Sequence, residues 1–168
     1  MRNITIDEFK NFTYPSNLTY KNNKLFFTET SVNMEKNIYE TNISYYNLNS
    51  KEKINLTNSK EDGNFIILSN GKVLFTSTKD RKKDDLGTYF YQIDPKGGER
   101  KFLFKTELLV FHFEEIDEDN ILIIGSESKK PSKYEEIDIL PFWLNNVGFI
   151  QNLHTKAYIY NVKEEKEE

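Results

Sequence analysis

Two histidines, His112 and His154, and no cysteine set the limits on what this chain can do chemically. Without thiols there are no disulfides and no thiolate metal sites. A Ser-His-Asp triad needs a histidine within hydrogen-bonding reach of its serine. In an α/β-hydrolase it also needs a Gly-X-Ser-X-Gly elbow, which holds the serine on a strained strand-to-helix turn. None of the seven glycines completes that pattern, and Gly125-Ser126-Glu127 is the nearest approach. His112 lies in the apolar run Val110-Phe111-His112-Phe113 and reads as a strand residue, while His154 reads as solvated in a polar loop. Glu114-Glu115 and Glu135-Glu136 pair acids with no histidine at ligand spacing. The sequence therefore predicts no catalytic residue, no metal site and no cofactor site in this chain.

Binding rather than catalysis is the chemistry left. Pro141-Phe142-Trp143 carries the only tryptophan, in a long connection outside the strand pattern. Large aromatics on loops are enriched at contact surfaces. Two placements are open for Pro141, Phe142 and Trp143: a contact with another domain or a substrate, or packing beneath their own sheet. The net charge is −4, and the basic run Lys79, Arg81, Lys82, Lys83 is interrupted and flanked by Asp80, Asp84 and Asp85. A solvated loop accounts for that run, and no basic stripe suits nucleic acid. The first ten residues are polar, and no apolar run approaches the ~20 residues needed to span a bilayer. The cytoplasm is the expected compartment.

The elements that must position these residues follow from a repeat. Leu25-Phe26-Phe27, Val73-Leu74-Phe75 and Ile121-Leu122-Ile123 begin at positions 48 residues apart. Each is followed by a second pattern: Tyr45-Tyr46-Asn47-Leu48, Phe90-Tyr91-Gln92-Ile93 and Ile159-Tyr160-Asn161-Val162. The last copy comes late, so the third unit carries an insertion of about two dozen residues, at about 127–155. A period of about 40–50 residues with several short strands per unit marks the blades of a β-propeller. Aromatic and β-branched residues suit strands, and alanine, the best helix former, occurs only as Ala157.

In the second unit the strands are Phe65 to Leu68, Val73 to Thr78, Thr88 to Ile93 and Arg100 to Lys105. Asn70-Gly71 predicts a short hairpin, because both turn residues tolerate positive φ, and Asp94-Pro95-Lys96-Gly97-Gly98 is turn chemistry. Asn22-Asn23 and Asp117 to Asn120 occupy the first turn of the other units. The second strands do not alternate apolar with polar, which implies that both faces are covered, as when blades stack. A short buried strand in an ordinary sandwich is the alternative. The expected units are about 17–58, 63–106 and 107–168, the third stopping before a fourth strand.

The order of these features resembles the N-terminal propeller of the prolyl oligopeptidase family, in its acylaminoacyl-peptidase-like branch. Ile4 to Phe9 is similar to the lead-in before the first blade. Glu35 to Tyr39 with Ser44 to Leu48 resembles the first blade, and Tyr89 to Ile93 with Lys96-Gly97-Gly98-Glu99 the second. Ile139 to Trp143 with Tyr158 to Val162 resembles an extended third. The usual Ser-Pro-Asp-Gly turn is replaced by Lys21-Asn22-Asn23-Lys24 and Ser69-Asn70-Gly71-Lys72.

The resemblance implies a non-catalytic domain that gates access of small peptides to an α/β-hydrolase domain, which would be its partner. In such a setting Glu135-Glu136 could hold a substrate amine, although a solvated acidic loop is the better account of the pair. Two blades and most of a third do not close a ring. The expectation is thus an all-β, incomplete propeller, a fragment that self-associates through open blade faces or is only marginally stable. A stand-alone β-sheet interaction module is the alternative.

Overall fold

The computed structural model describes residues 5–82, 85, 87–127, 142–144, 148–150, 155–163 and 166–167. The chain divides into two compact units, one carrying the first two sheets and the other the rest.

In the first unit a short 3-10 helix, Ile6–Asn11, leads into β1 (Thr13–Lys21), β2 (Lys24–Asn33), β3 (Ile38–Asn47) and β4 (Glu52–Asn55). These form an antiparallel meander in the order β1-β2-β3-β4. The second meander is β5 (Asp62–Ile67), β6 (Val73–Ser77), β7 (Thr88–Ile93) and β8 (Lys101–Thr106), again in sequence order. Val73 to Thr78, expected as a strand, is β6 up to Ser77.

Turn chemistry sets these hairpins, and two of them differ in length. Asn22 and Asn23 both take positive φ, 53° and 58°, and join Lys21 to Lys24 as a two-residue turn. At Asn70-Gly71 only Gly71 does, with φ of 83°. Gly71 N donates to Leu68 O (2.9 Å) and Leu68 N to Lys72 O (2.9 Å), so the loop is a three-residue turn closed by a left-handed glycine. Both pairs permit a hairpin, but the dipeptide alone does not choose between the two lengths.

The first two sheets pack face to face. Phe26, Ile43 and Tyr45 from one meet Phe65, Val73, Phe75, Tyr91 and Ile93 from the other in a single buried cluster. Fully burying one such side chain contributes about 1.5–3 kcal/mol. Polar ties hold the register between sheets: Thr41 pairs with Glu61 as an isolated parallel bridge, and Tyr45 Oη donates to Pro95 O at 3.2 Å. Covered faces explain the unbroken apolar run of β6, where Val73, Leu74 and Phe75 are all fully buried. On the opposite face of the second sheet Phe90 and Phe104 stack with ring centroids 4.4 Å apart.

In the second unit β9 (Leu108–Glu115), β10 (Asn120–Glu127), β13 (Thr155–Asn161) and β14 (Lys166–Glu167) form a sheet in the order β14-β13-β10-β9. Ile123 lies opposite Phe113, and Ile121 opposite Tyr160, all four buried. Two expectations are corrected here. The third sheet does not stop before a fourth strand: Lys166 and Glu167 pair with Asn161 and Tyr160. A strand at the edge of a sheet needs a partner on one side only. Secondly, the connection within 127–155 is not wholly outside the strand pattern. β11 (Phe142–Leu144) and β12 (Gly148–Ile150) form a separate antiparallel hairpin. Among the described residues no helix is long and apolar enough to cross a membrane.

Candidate functional site

The residues singled out from sequence do not converge. Pro141, Glu135, Glu136 and His154 lie outside the described residues. Phe142 and Trp143 are in β11, opposite Ile150 and Phe149. His112 is exposed on β9, its Nε2 3.1 Å from Glu114 Oε1. Ser126 is buried mid-strand in β10, opposite Leu109 and Thr155, rather than on a strand-to-helix turn.

A different cluster forms around Arg100, at the entry to β8. Its side chain reaches the end of β6 and the start of β5, because the Asp94-to-Gly98 turn aims the chain back across the sheet. The turn is held by Gly97 N donating to Asp94 O (3.0 Å) and by positive φ at Gly97 and Gly98. Arg100 donates to Asp80 Oδ2 (3.0 Å) and to Ser77 Oγ (3.3 Å). Its guanidinium lies 4.6 Å from the centroid of the Tyr91 ring and 3.6 Å from Asp62 Oδ1. Asp62 is fully buried, and neither of its carboxylate oxygens accepts a hydrogen bond among the described residues. The Asp62 main-chain carbonyl accepts from the Thr41 hydroxyl, which ties this position to the first sheet.

Tyr91 completes the cluster, donating from Oη to Asp80 Oδ2 at 2.7 Å. Burial holds the phenol proton on well above its ordinary range, and the bond to Asp80 adds to the effect. In the charged loop after β6 the described basic residues Lys79, Arg81 and Lys82 are exposed, as expected, but two of the acids are held in place. Asp80 is held by Arg100 and Tyr91, and Asp85 by Tyr89 Oη (2.6 Å) and Lys105 (3.0 Å). Composition could not show this, because the partners come from strands β7 and β8 and the loop's own sequence is silent about them.

Beside Arg100 is an open cleft of about 740 Å³, lined by Thr57, Asn58, Ser59, Lys79, Glu99 and Arg100 among others. It offers hydrogen-bond donors and acceptors of both signs and can hold a polar ligand, and no histidine is in its lining. Asp62 and Arg100 are the residues sequence reasoning missed. The only sign of them was Arg100 following the Gly97-Gly98 turn, which says nothing of a partner so distant in the chain.

Comparison with known proteins places the fold. No family model and no curated sequence matches the chain. Among solved structures, it is similar to acylaminoacyl peptidase from Pyrococcus horikoshii, with a TM-score of 0.76 and 20% identity over 95% of this chain and 25% of that one. A structure of acylaminoacyl peptidase in complex with Z-Gly-Gly-Phe-chloromethyl ketone matches alike, at 0.76 and 20% over 94% and 25%. The β-propeller domain of the trilobed protease from Pyrococcus furiosus, described as having an open velcro topology, matches with a TM-score of 0.58 and 18% identity, over 95% and 42%. This chain thus spans about a quarter of the length of the acylaminoacyl peptidases it resembles. The fold is that of part of a β-propeller: three four-stranded antiparallel sheets, the first two of consecutive strands and the third interrupted between β10 and β13 by the β11–β12 hairpin.

Proposed function

We propose that this chain is part of the non-catalytic N-terminal propeller of a serine peptidase, akin to acylaminoacyl peptidase and of the prolyl oligopeptidase family. In the longer protein it gates the access of small peptides to an α/β-hydrolase domain. One observation carries the reading: the likeness runs over 95% of this chain, yet over only 25% of the peptidase. It is supported by the lack of a Gly-X-Ser-X-Gly elbow in the sequence, since in this reading the nucleophile lies in the partner domain.

Peptides reach this chain only through that domain. A cytoplasmic location and the lack of a nucleic-acid or membrane partner belong to the same reading, which the net charge of −4 favours. So does self-association of the isolated chain. Leu25 and Phe27 point away from the buried cluster and are half-covered, with Leu18 and Tyr20 exposed beside them on β1. Phe142 and Trp143 are proposed to contact the hydrolase domain or the substrate cavity, together with Pro141.

The coding sequence downstream tests the proposal. An in-frame continuation with further strand repeats and then Gly-X-Ser-X-Gly supports it, whereas a stop codon favours the stand-alone interaction module. In a longer protein, a fluorophosphonate probe should label the hydrolase portion and never this one. Replacing Phe142 and Trp143 with Ala there should alter peptidase kinetics or stability, and unchanged values of both exclude them as contacts.

A further inference from the structure

We propose that the cleft at the hairpin ends of the first two sheets binds a small ligand bearing a carboxylate or phosphate group, held by Lys21 and Lys24. The inference is independent of the peptidase reading. The cleft measures about 260 Å³, and its lining includes Lys21, Lys24, Phe26, Ile67, Asp94 and Lys96. It is smaller than the roughly 300–1,000 Å³ of sites for drug-sized molecules, so its occupant is small.

The two-residue Asn22-Asn23 turn makes Lys21 and Lys24 direct cross-strand partners. Such partners project from the same face of a sheet, and like charges placed so repel each other. Both lysines are half-buried, which limits the relief that water can give. Lys21 Nζ donates to Leu68 O (2.8 Å) and Ile67 O (3.3 Å), leaving one of its three N–H groups over. Lys24 Nζ lies 4.4 Å from the centroid of the Tyr45 ring. Among the described residues neither lysine forms an ion pair with a carboxylate. The one acid in the lining, Asp94, uses Oδ1 to accept from Lys96 N at 2.8 Å.

Two half-buried lysines that are cross-strand partners line one cleft together with the buried Phe26, and they form a site that an oxyanion completes. The anion relieves the repulsion within the pair and accepts a charge-assisted hydrogen bond from each.

The test is a titration of the ¹⁵N-labelled 168-residue chain, at constant ionic strength, with inorganic phosphate, with N-acetylglycine and with N-acetylglycinamide. Saturable amide shifts centred on Asn22, Asn23 and Gly71 are expected with one or both anions and not with the amide. Saturation by phosphate alone supports the site and assigns it to phosphoryl oxygens, and saturation by N-acetylglycine alone assigns it to carboxylates. Lys24→Met should weaken binding about tenfold while leaving the melting temperature nearly unchanged. Equal response to the amide, shifts centred elsewhere, or undiminished affinity in a folded Lys24→Met chain each overturn the proposal. Should that variant not fold, the comparison of anions with the amide on the unaltered chain decides.

Discussion

Arg100 places its guanidinium 3.6 Å from the carboxylate of Asp62, a side chain with no exposure to solvent at all. The distance is too long for a hydrogen bond, yet Arg100 is the only cation paired with Asp62 among the described residues. Its remaining contacts, with Asp80, Ser77 and the Tyr91 ring, hold the guanidinium in place.

Removing the cation leaves a buried carboxylate uncompensated, so Arg100→Ala should destabilise the chain by about 3 kcal/mol. Arg100→Lys should recover only part of this, because an ammonium cannot stack on Tyr91 while forking between Ser77 and Asp80. Urea denaturation of the three proteins measures both effects. Equal stability of Arg100→Ala and the parent excludes the cluster as a structural element.

The two faces of a repeated strand should respond unequally. Phe75 is fully buried between the first two sheets, whereas Phe27, at the corresponding position of β2, is half-covered. Phe75→Ala should cost about 3–5 kcal/mol, and Phe27→Ala clearly less. Midpoints of chemical denaturation give the comparison, and similar losses at both positions contradict the assignment of the covered face.

Alkaline pH should unfold the chain partly through Tyr91. The folded state holds the phenol proton more tightly than the unfolded state does, chiefly through burial and then through Asp80. A pKa raised on folding contributes stability that is complete below the ordinary tyrosine pKa of about 10 and is lost as pH rises through and beyond it. Between pH 9 and 11.5 the melting temperature of Tyr91→Phe should therefore fall less steeply than that of the parent. Parallel curves refute the role.

Two glycines should fail for different reasons. At Gly71, with φ of 83°, an added Cβ meets nothing within 4 Å, so Gly71→Ala should cost about 1–2 kcal/mol through backbone strain alone. At Gly125 an added Cβ would sit 2.8 Å from Leu109 O, a main-chain atom that cannot swing away. Gly125→Ala should therefore disturb the β9–β10 pairing, seen as faster amide exchange across it. At Gly71 exchange should stay confined to the turn.

The 48-residue rhythm, the unbroken apolar second strands and the Asn and Gly turns were all legible from local sequence, since each depends on the period of a strand or the φ of one residue. They sufficed for the sheets, their order and the propeller class. The three-residue loop at Asn70-Gly71 was not, because two hairpin lengths accept that dipeptide and the pairing of Ile67 with Val73 selects one. Nor was the short fourth strand at Lys166–Glu167, whose composition belongs to a solvated tail and whose pairing is set by Tyr160 and Asn161.

Candidate sites divide the same way. Composition alone settled that no thiol and no hydrolase elbow occur here, because those depend on residue types and short spacings. The tertiary structure alone decided that Asp62 meets Arg100 and that Lys21 and Lys24 share a cleft with Ile67 and Asp94. Such clusters arise when stacked sheets bring together residues distant in sequence, and nothing in the local chemistry of either partner names the other.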